Sequence, residues 1–101
     1  MSTSPIEHWP VAATAGRVTA DSLEVELTDG RSMAVPLAWY PRLASGTMAE
    51  RNHWRLIGRG EGIHWPALDE DISVDNLLSG ARSGESQRSF KAWLQLRATA
   101  S

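Results

Sequence analysis

The chain has 101 residues and a mass of 11.1 kDa, which is room for one domain and one core of ordinary size. It has no cysteine, which excludes disulfides, thiol nucleophiles, iron–sulfur clusters and thiolate zinc sites together. Ten basic against twelve acidic side chains leave a net charge of −2, so no general pull toward nucleic acid or an anionic membrane is expected.

The first sixteen residues carry no basic start and no apolar run, so they do not read as a signal peptide. No segment approaches the roughly 18 continuous apolar residues of a membrane span. A cytoplasmic protein is the expectation. The charges are unevenly placed. Residues 61–81 hold Glu61, Asp69, Glu70, Asp71 and Asp75 with no basic side chain, while residues 82–101 carry a net +3. This acidic band is expected either to pair with arginines inside the fold or to face a partner.

In chain order, Arg17–Ala20 reads as a short strand and Asp21-Ser22 as a turn. Leu23, Val25 and Leu27 then alternate with Glu24, Glu26 and Thr28, the period of a half-buried strand. Asp29-Gly30 suits a type I′ hairpin turn. Met33, Val35 and Leu37 mark the return strand, which Pro36 ends or confines to a sheet edge. Trp39–Leu43 forms a first helical turn, with Pro41 near its start. Thr47 and Glu50 have capping-box spacing, so a short helix is expected from Met48 to about His53.

Trp54–Ile57 and Gly62–Trp65 are short apolar-rich runs joined by Gly58-Arg59-Gly60-Glu61, which reads as a hairpin. Leu68–Ile72 reads as a loop or irregular extension. Ser73 is an N-cap, and Val74, Leu77 and Leu78 fall on one face of the helix that follows. Residues 79–86 form a polar linker. From Gln87 to Arg97 the spacing of Phe90, Trp93, Leu94 and Arg97 predicts a helix lying on the sheet or on another copy of the chain. The fold class is therefore α+β: a small antiparallel β-meander plus a hairpin, short helices and a C-terminal helix.

A wider pattern runs through Trp39-Tyr40-Pro41-Arg42-Leu43, Glu50-Arg51, Trp54-Arg55 and the run from Gly60 to Val74, Gly-Glu-Gly-Ile-His-Trp-Pro-Ala-Leu-Asp-Glu-Asp-Ile-Ser-Val. With these residues in line, the chain resembles the bacterial DUF2442 family, a family of unknown function, in its longer form. The resemblance divides the chain into an N-terminal extension (1–13), the family-like domain (14–80) and a linker with a C-terminal helix (81–101). It implies a small α+β domain of meander, helix, hairpin and helix. It also implies a small protein partner encoded alongside, in an arrangement like a toxin–antitoxin pair. It carries no catalytic residue.

Chemistry-bearing motifs are sparse. His64 with Asp69, Glu70 and Asp71 is the one cluster that resembles a metal site, but its spacing fits no EF-hand loop and no His-Glu-x-x-His helix. Acidic residues before an N-cap are also what a helix terminus favours. No Gly-x-Ser-x-Gly turn presents any of the eleven serines as a nucleophile. Gly58–Gly62 lacks the Lys-Ser/Thr of a phosphate loop. Nine of the ten basic residues are Arg, which suits two-point pairing with carboxylates. Arg42 and Arg51 are expected to meet Asp69, Glu70 or Asp71. Each His precedes a Trp, so a buried Trp54 or Trp65 would leave its His nearer the surface.

The resulting expectation is a non-enzymatic protein-interaction module without cofactor, metal or nucleic acid, open to self-association through an uncovered sheet edge. Its candidate contacts are Arg42, Arg51, His64, Asp69, Glu70, Asp71 and Trp93. The alternative is a ligand-binding domain or small enzyme with a pocket near Trp39, Trp54, His64 and Trp65. Of the five tryptophans, Trp39, Trp54 and Trp65 are expected as buried anchors and Trp93 on the inner face of the tail helix. Trp9 stands outside any pattern.

Overall fold

The alternation at residues 23–28 becomes the middle strand of a three-stranded antiparallel meander in the computed structural model, which describes residues 11–100. Its strands are β1 (Ala13–Val18), β2 (Ser22–Leu27) and β3 (Ser32–Pro36). Leu23 lies opposite Val35 and Val25 opposite Met33, so the apolar side chains of β2 and β3 share one face. β1 begins earlier than the sequence suggests and stops before Ala20. Trp9 and the rest of the first ten residues lie outside the described part.

The β2–β3 turn differs from expectation. Gly30 has φ +89°, but Asp29 stays at negative φ. The Gly30 N–H donates to the Leu27 carbonyl and the Leu27 N–H donates to the Arg31 carbonyl. This is a type I turn closed by a left-handed glycine, which asks for positive φ at one residue where type I′ asks for two. The Asp29 carboxylate is used instead to hold Arg31, accepting from its backbone N–H (3.0 Å) and its Nε (2.7 Å). Pro36 does both things expected of it: it ends β3, and β3 is an edge of its sheet.

A 3-10 turn (Leu37–Trp39) leads into α1 (Pro41–Ala44) and α2 (Met48–Asn52). The capping box on α2 is complete, with the Thr47 N–H donating to Glu50 Oε1 and the Glu50 N–H to Thr47 Oγ1. The second sheet follows: β4 (Arg55–Ile57), β5 (Gly62–Trp65) and β6 (Glu70–Ser73), again antiparallel in chain order.

β6 corrects the expected loop. It pairs with β5 through Ile63–Ile72, His64–Asp71 and Trp65–Glu70. A 3-10 turn (Pro66–Leu68) and Asp69 at φ +49° reverse the chain in four residues. Only one of the four β6 residues is apolar, so the alternation that marks a strand is hidden in the sequence.

α3 (Val74–Ser79) starts at the expected cap, with Ser73 Oγ accepting from the Asn76 N–H (3.1 Å). Val74 and Leu77 are buried, but Leu78 is not. α4 runs from Gln87 to Ala100, past the expected end at Arg97.

The core lies between the inner faces of the two sheets, where Leu23, Val25, Ile63, Trp65 and Ile72 pack with Leu43, Leu68 and Leu77 from the connecting segments. Trp65 is fully buried and Trp93 nearly so, whereas Trp39 and Trp54 are only part-buried against the core. The sheets meet at one seam. The Ala13 N–H on β1 donates to the Gly60 carbonyl in the β4–β5 turn at 2.8 Å. Gly60 has φ +99°, and a Cβ there would sit 2.2 Å from the Ala13 oxygen.

Candidate functional site

The pleat of β6 splits the acidic band. Ile72 is buried beside Ile63, and side chains two apart share a face, so Glu70 points inward with Ile72 while Asp71 points out. Asp71 meets the Nδ1 of His64, its cross-strand partner, on the outer face; Arg55 lies opposite His64 on β4. Asp71 remains largely exposed, its side chain 68% accessible.

Glu70 is the unusual member. Its Oε2 is buried and has no hydrogen-bond partner. Burial pushes its carboxyl up to about 7; the nearby Arg42 opposes this, while the Glu85 and Asp71 charges reinforce it. Glu70 also lines an open cavity of about 450 Å³, together with Tyr40, Arg42, Asp69, Asp71, Arg82 and Glu85.

Arg42 organises this region. Its Nε donates to both Glu85 oxygens at 2.9 Å and its Nη2 to Glu85 Oε2 at 2.5 Å. Its Nη1 donates to the Asp69 carbonyl at 3.1 Å, with Asp69 Oδ2 at 3.3 Å. Pairing with Arg42 holds the Glu85 carboxyl below its ordinary range, and Ser89 Oγ donates a further bond at 2.9 Å. Two guanidiniums lie over the Trp93 ring, Arg42 at 5.1 Å and Arg97 at 4.7 Å from its centroid. Arg97 in turn forms a two-point pair with Glu50 at 2.8 and 3.0 Å. Hydrogen bonds from Arg97, then from the Thr47 N–H, hold the Glu50 carboxyl down to about 2.

The expected pairing is thus half present. Arg42 reaches Asp69, but its stronger partner is Glu85, the lone acid of the basic tail. Arg51 reaches none of the three acidic residues. Its Nε and Nη2 cap α1 by donating to the Leu43 and Ala44 carbonyls at 2.9 and 2.6 Å. The tail helix packs on α1 and α2, with Arg42 of α1 over the Trp93 ring and Arg97 paired with Glu50 of α2, and Leu94 is left exposed. Four pairs or stacks, Arg42–Glu85, Arg42–Trp93, Arg97–Trp93 and Arg97–Glu50, set a narrow seam across residues 85–97 that an apolar stripe does not resolve.

The cavity also lies apart from the expected tryptophan pocket. Arg42, Asp69, Glu70 and Asp71 line it; Arg51, His64, Trp39, Trp54 and Trp65 do not. Trp65 is sealed in the core with its Nε1–H donated to the Arg51 carbonyl at 3.0 Å. Trp39 carries the Arg82 guanidinium 5.0 Å from its ring centroid. Sequence reasoning missed Tyr40, whose hydroxyl donates to the Ala81 carbonyl at 3.0 Å, and Glu85. Tyr40 stands in the family-like run Trp39–Leu43 with no role attached to it, and no motif marks Glu85. Among the described residues, no three His, Asp or Glu side chains converge at metal-ligating geometry.

The whole arrangement, from meander to Ser83, coincides with one match among known proteins: a protein family of unknown function, DUF2442, over residues 14–83. The chain belongs to the DUF2442 family. A solved structure is similar as well, that of a protein of unknown function from Rhodospirillum rubrum. It is 23% identical, with a TM-score of 0.67, and the alignment covers 78% of this chain and 98% of that one. At that identity the likeness shows a shared fold alone. No curated protein matches the chain. No helix among the described residues is long and apolar enough to cross a membrane.

Glu70 makes a pH prediction. Its folded value of about 7 exceeds the ordinary 4.5, so the folded state binds more protons between those limits. Its contribution is neutral below about pH 4.5 and becomes destabilising as pH rises to 7 and beyond. At full strength the shift corresponds to about 3 kcal/mol, and solvent at the part-exposed carboxyl reduces that to about 1–2 kcal/mol. Glu70→Gln is therefore expected to raise the denaturation midpoint at pH 8, to leave it nearly unchanged at pH 4.5, and to flatten the slope between. Equal midpoints at pH 8 in parallel urea titrations would show that Glu70 is not strained by burial. Glu50 acts in the opposite sense: its stabilisation is present above about pH 4.5 and is lost as pH falls through 2.

Proposed function

We propose that the domain is a non-enzymatic protein-interaction module, acting by occupying a protein partner without making or breaking a bond. The observation that supports this best is the exposure of large apolar side chains on the two helices tied by Glu50–Arg97. Leu96 is 69% exposed, Met48 66% and Leu94 37%. Leu94 and Leu96 are two apart on α4 and so flank it on opposite sides, and with Met48 on α2 they leave apolar contacts in water for a partner. The net charge of −2 favours a protein over nucleic acid as the partner. The proposed partner is a small toxin-like neighbour, with this chain as its antitoxin-like half. Pairing through β3 is the weaker route, because a five-residue edge strand ending in Pro36 offers few free N–H groups.

The test is co-expression with the protein encoded next to it, followed by size-exclusion chromatography. A 1:1 or higher complex is expected, and Leu96→Glu should weaken it by tenfold or more, an interface-anchor effect of about 1.4 kcal/mol. Elution of the two proteins apart, or a complex indifferent to Leu96→Glu and Leu94→Glu, would sink the proposal. A second reading, a ligand-binding domain, draws support from the charged cavity beside Glu70.

A further inference from the structure

We propose that residues 80–86 form a lid over Glu70, and that this lid lifts together with the first turn of α4 when Glu70 loses its proton. The proposal stands apart from the interaction reading, which uses the exposed apolar side chains of α2 and α4.

The lid is fastened to a single short segment. The Ser83 N–H donates to the Trp39 carbonyl at 3.0 Å, and Ala81 accepts from the Tyr40 hydroxyl. Arg82 lies over the Trp39 ring, and Glu85 grips Arg42. All four fasteners end on residues 39–42. The lid pivots between two points. At one end Gly80 closes α3 with φ +78°, its N–H donating to Leu77 and that of Ala81 to Asn76. At the other, Arg97 holds the far part of α4 to Glu50. Gly84, within the lid, touches nothing that a Cβ would meet.

Under the lid, Glu70 is surrounded by groups that do not answer its Oε2. Tyr40 and Arg42 face it from the α1 segment, Asp69 and Asp71 flank it on its own strand and turn, and Arg82 and Glu85 face it from the lid. Asn76 adds a neutral amide from α3, and His64 is engaged by Asp71 on the other face. Tyr40 donates its proton to Ala81, and Arg42 gives Nε, Nη1 and Nη2 to Glu85 and Asp69.

A neutral carboxyl tolerates this surrounding, but an ionised one needs donors. Two sources exist. Water reaches the buried oxygen if the lid rises. Alternatively Arg42 turns to Glu70, and in turning releases Glu85. Both remedies undo the same fastening, so either route raises the lid. The burial that lifts the Glu70 carboxyl to about 7 sets the transition near neutral pH.

Hydrogen exchange tests this, with rates corrected for the intrinsic dependence on pH. Between pH 5.5 and 8.5, protection across residues 80–92 is expected to fall roughly tenfold in the native chain, a local opening below the global limit. β2 and β5 should hold their protection. Glu70→Gln should keep the lid protected at both values. Glu85→Gln, which weakens the fastening while keeping the Glu70 side chain, should leave it poorly protected at both. A flat profile in the native chain overturns the proposal, as does an equal fall in Glu70→Gln. A fall shared by β2 and β5 would show global loosening and overturn it too. So would full protection of Glu85→Gln at pH 5.5.

Discussion

Trp65→Ala is expected to cost about 3–5 kcal/mol of unfolding free energy, the range for emptying a buried aromatic site. For a domain of this length that corresponds to a fall of about 20 °C in the thermal midpoint. Two losses combine. The indole is completely buried at the end of β5, packed with Ile63, Leu68 and Ile72. Its Nε1–H also satisfies the Arg51 carbonyl at the C-terminal end of α2. Trp65→Phe separates the two, because it keeps much of the volume and drops the donor. It should cost about 1–2 kcal/mol, the penalty of an unsatisfied acceptor plus a small void. Calorimetry on the three proteins reads the series. If Phe proved as damaging as Ala, the hydrogen bond and not the packing would be the anchor.

The second large effect is at Gly60. Gly60→Ala meets two obstacles at once, a backbone at φ +99° and a Cβ 2.2 Å from the Ala13 oxygen. The added carbon must push β1 away from the β4–β5 turn and stretch the Ala13–Gly60 hydrogen bond. A loss of about 3 kcal/mol or more is expected, strain and a broken backbone contact together. Gly30→Ala is the matched control. It has nearly the same φ, +89°, but open space around the added carbon, so it should cost only about 1 kcal/mol. Urea denaturation of both variants measures the difference. Equal losses would mean that the seam yields freely and that dihedral strain alone acts at Gly60.

What could be read from the residues followed local rules. The alternation at Leu23, Val25 and Leu27, the Thr47–Glu50 capping box and the Ser73 N-cap each depend on neighbours within a few positions, and each is present as expected. β6 was hidden because a strand needs two apolar positions to show its period, and Glu70 takes the inward place that would have shown it. The candidate site was legible only in part for a different reason. Arg42 with Glu85 and Glu50 with Arg97 join residues 43 and 47 positions apart. Charge sums over segments predict attraction between the acidic band and the basic tail. The actual pairs run from the tail to α1 and α2, because orientation of the helices decides which guanidinium reaches which carboxylate. Leu78 and Leu94 fell outside their buried faces for the same reason.

The Ala13–Gly60 seam also bears on how the chain reaches its native state. Each sheet is a run of consecutive strands, so its pairings close short loops and carry low contact order. Each meander is able to zip from its own turn without waiting for the other. The step that joins them brings together residues 47 positions apart, and it buries the inner faces of both sheets at once. Docking of the two meanders is then the late event, with Gly60 forming its contact after the transition state has assembled the hairpins. A seam substitution should accordingly speed unfolding more than it slows folding, a signature that a chevron plot of Gly60→Ala would display on its unfolding limb.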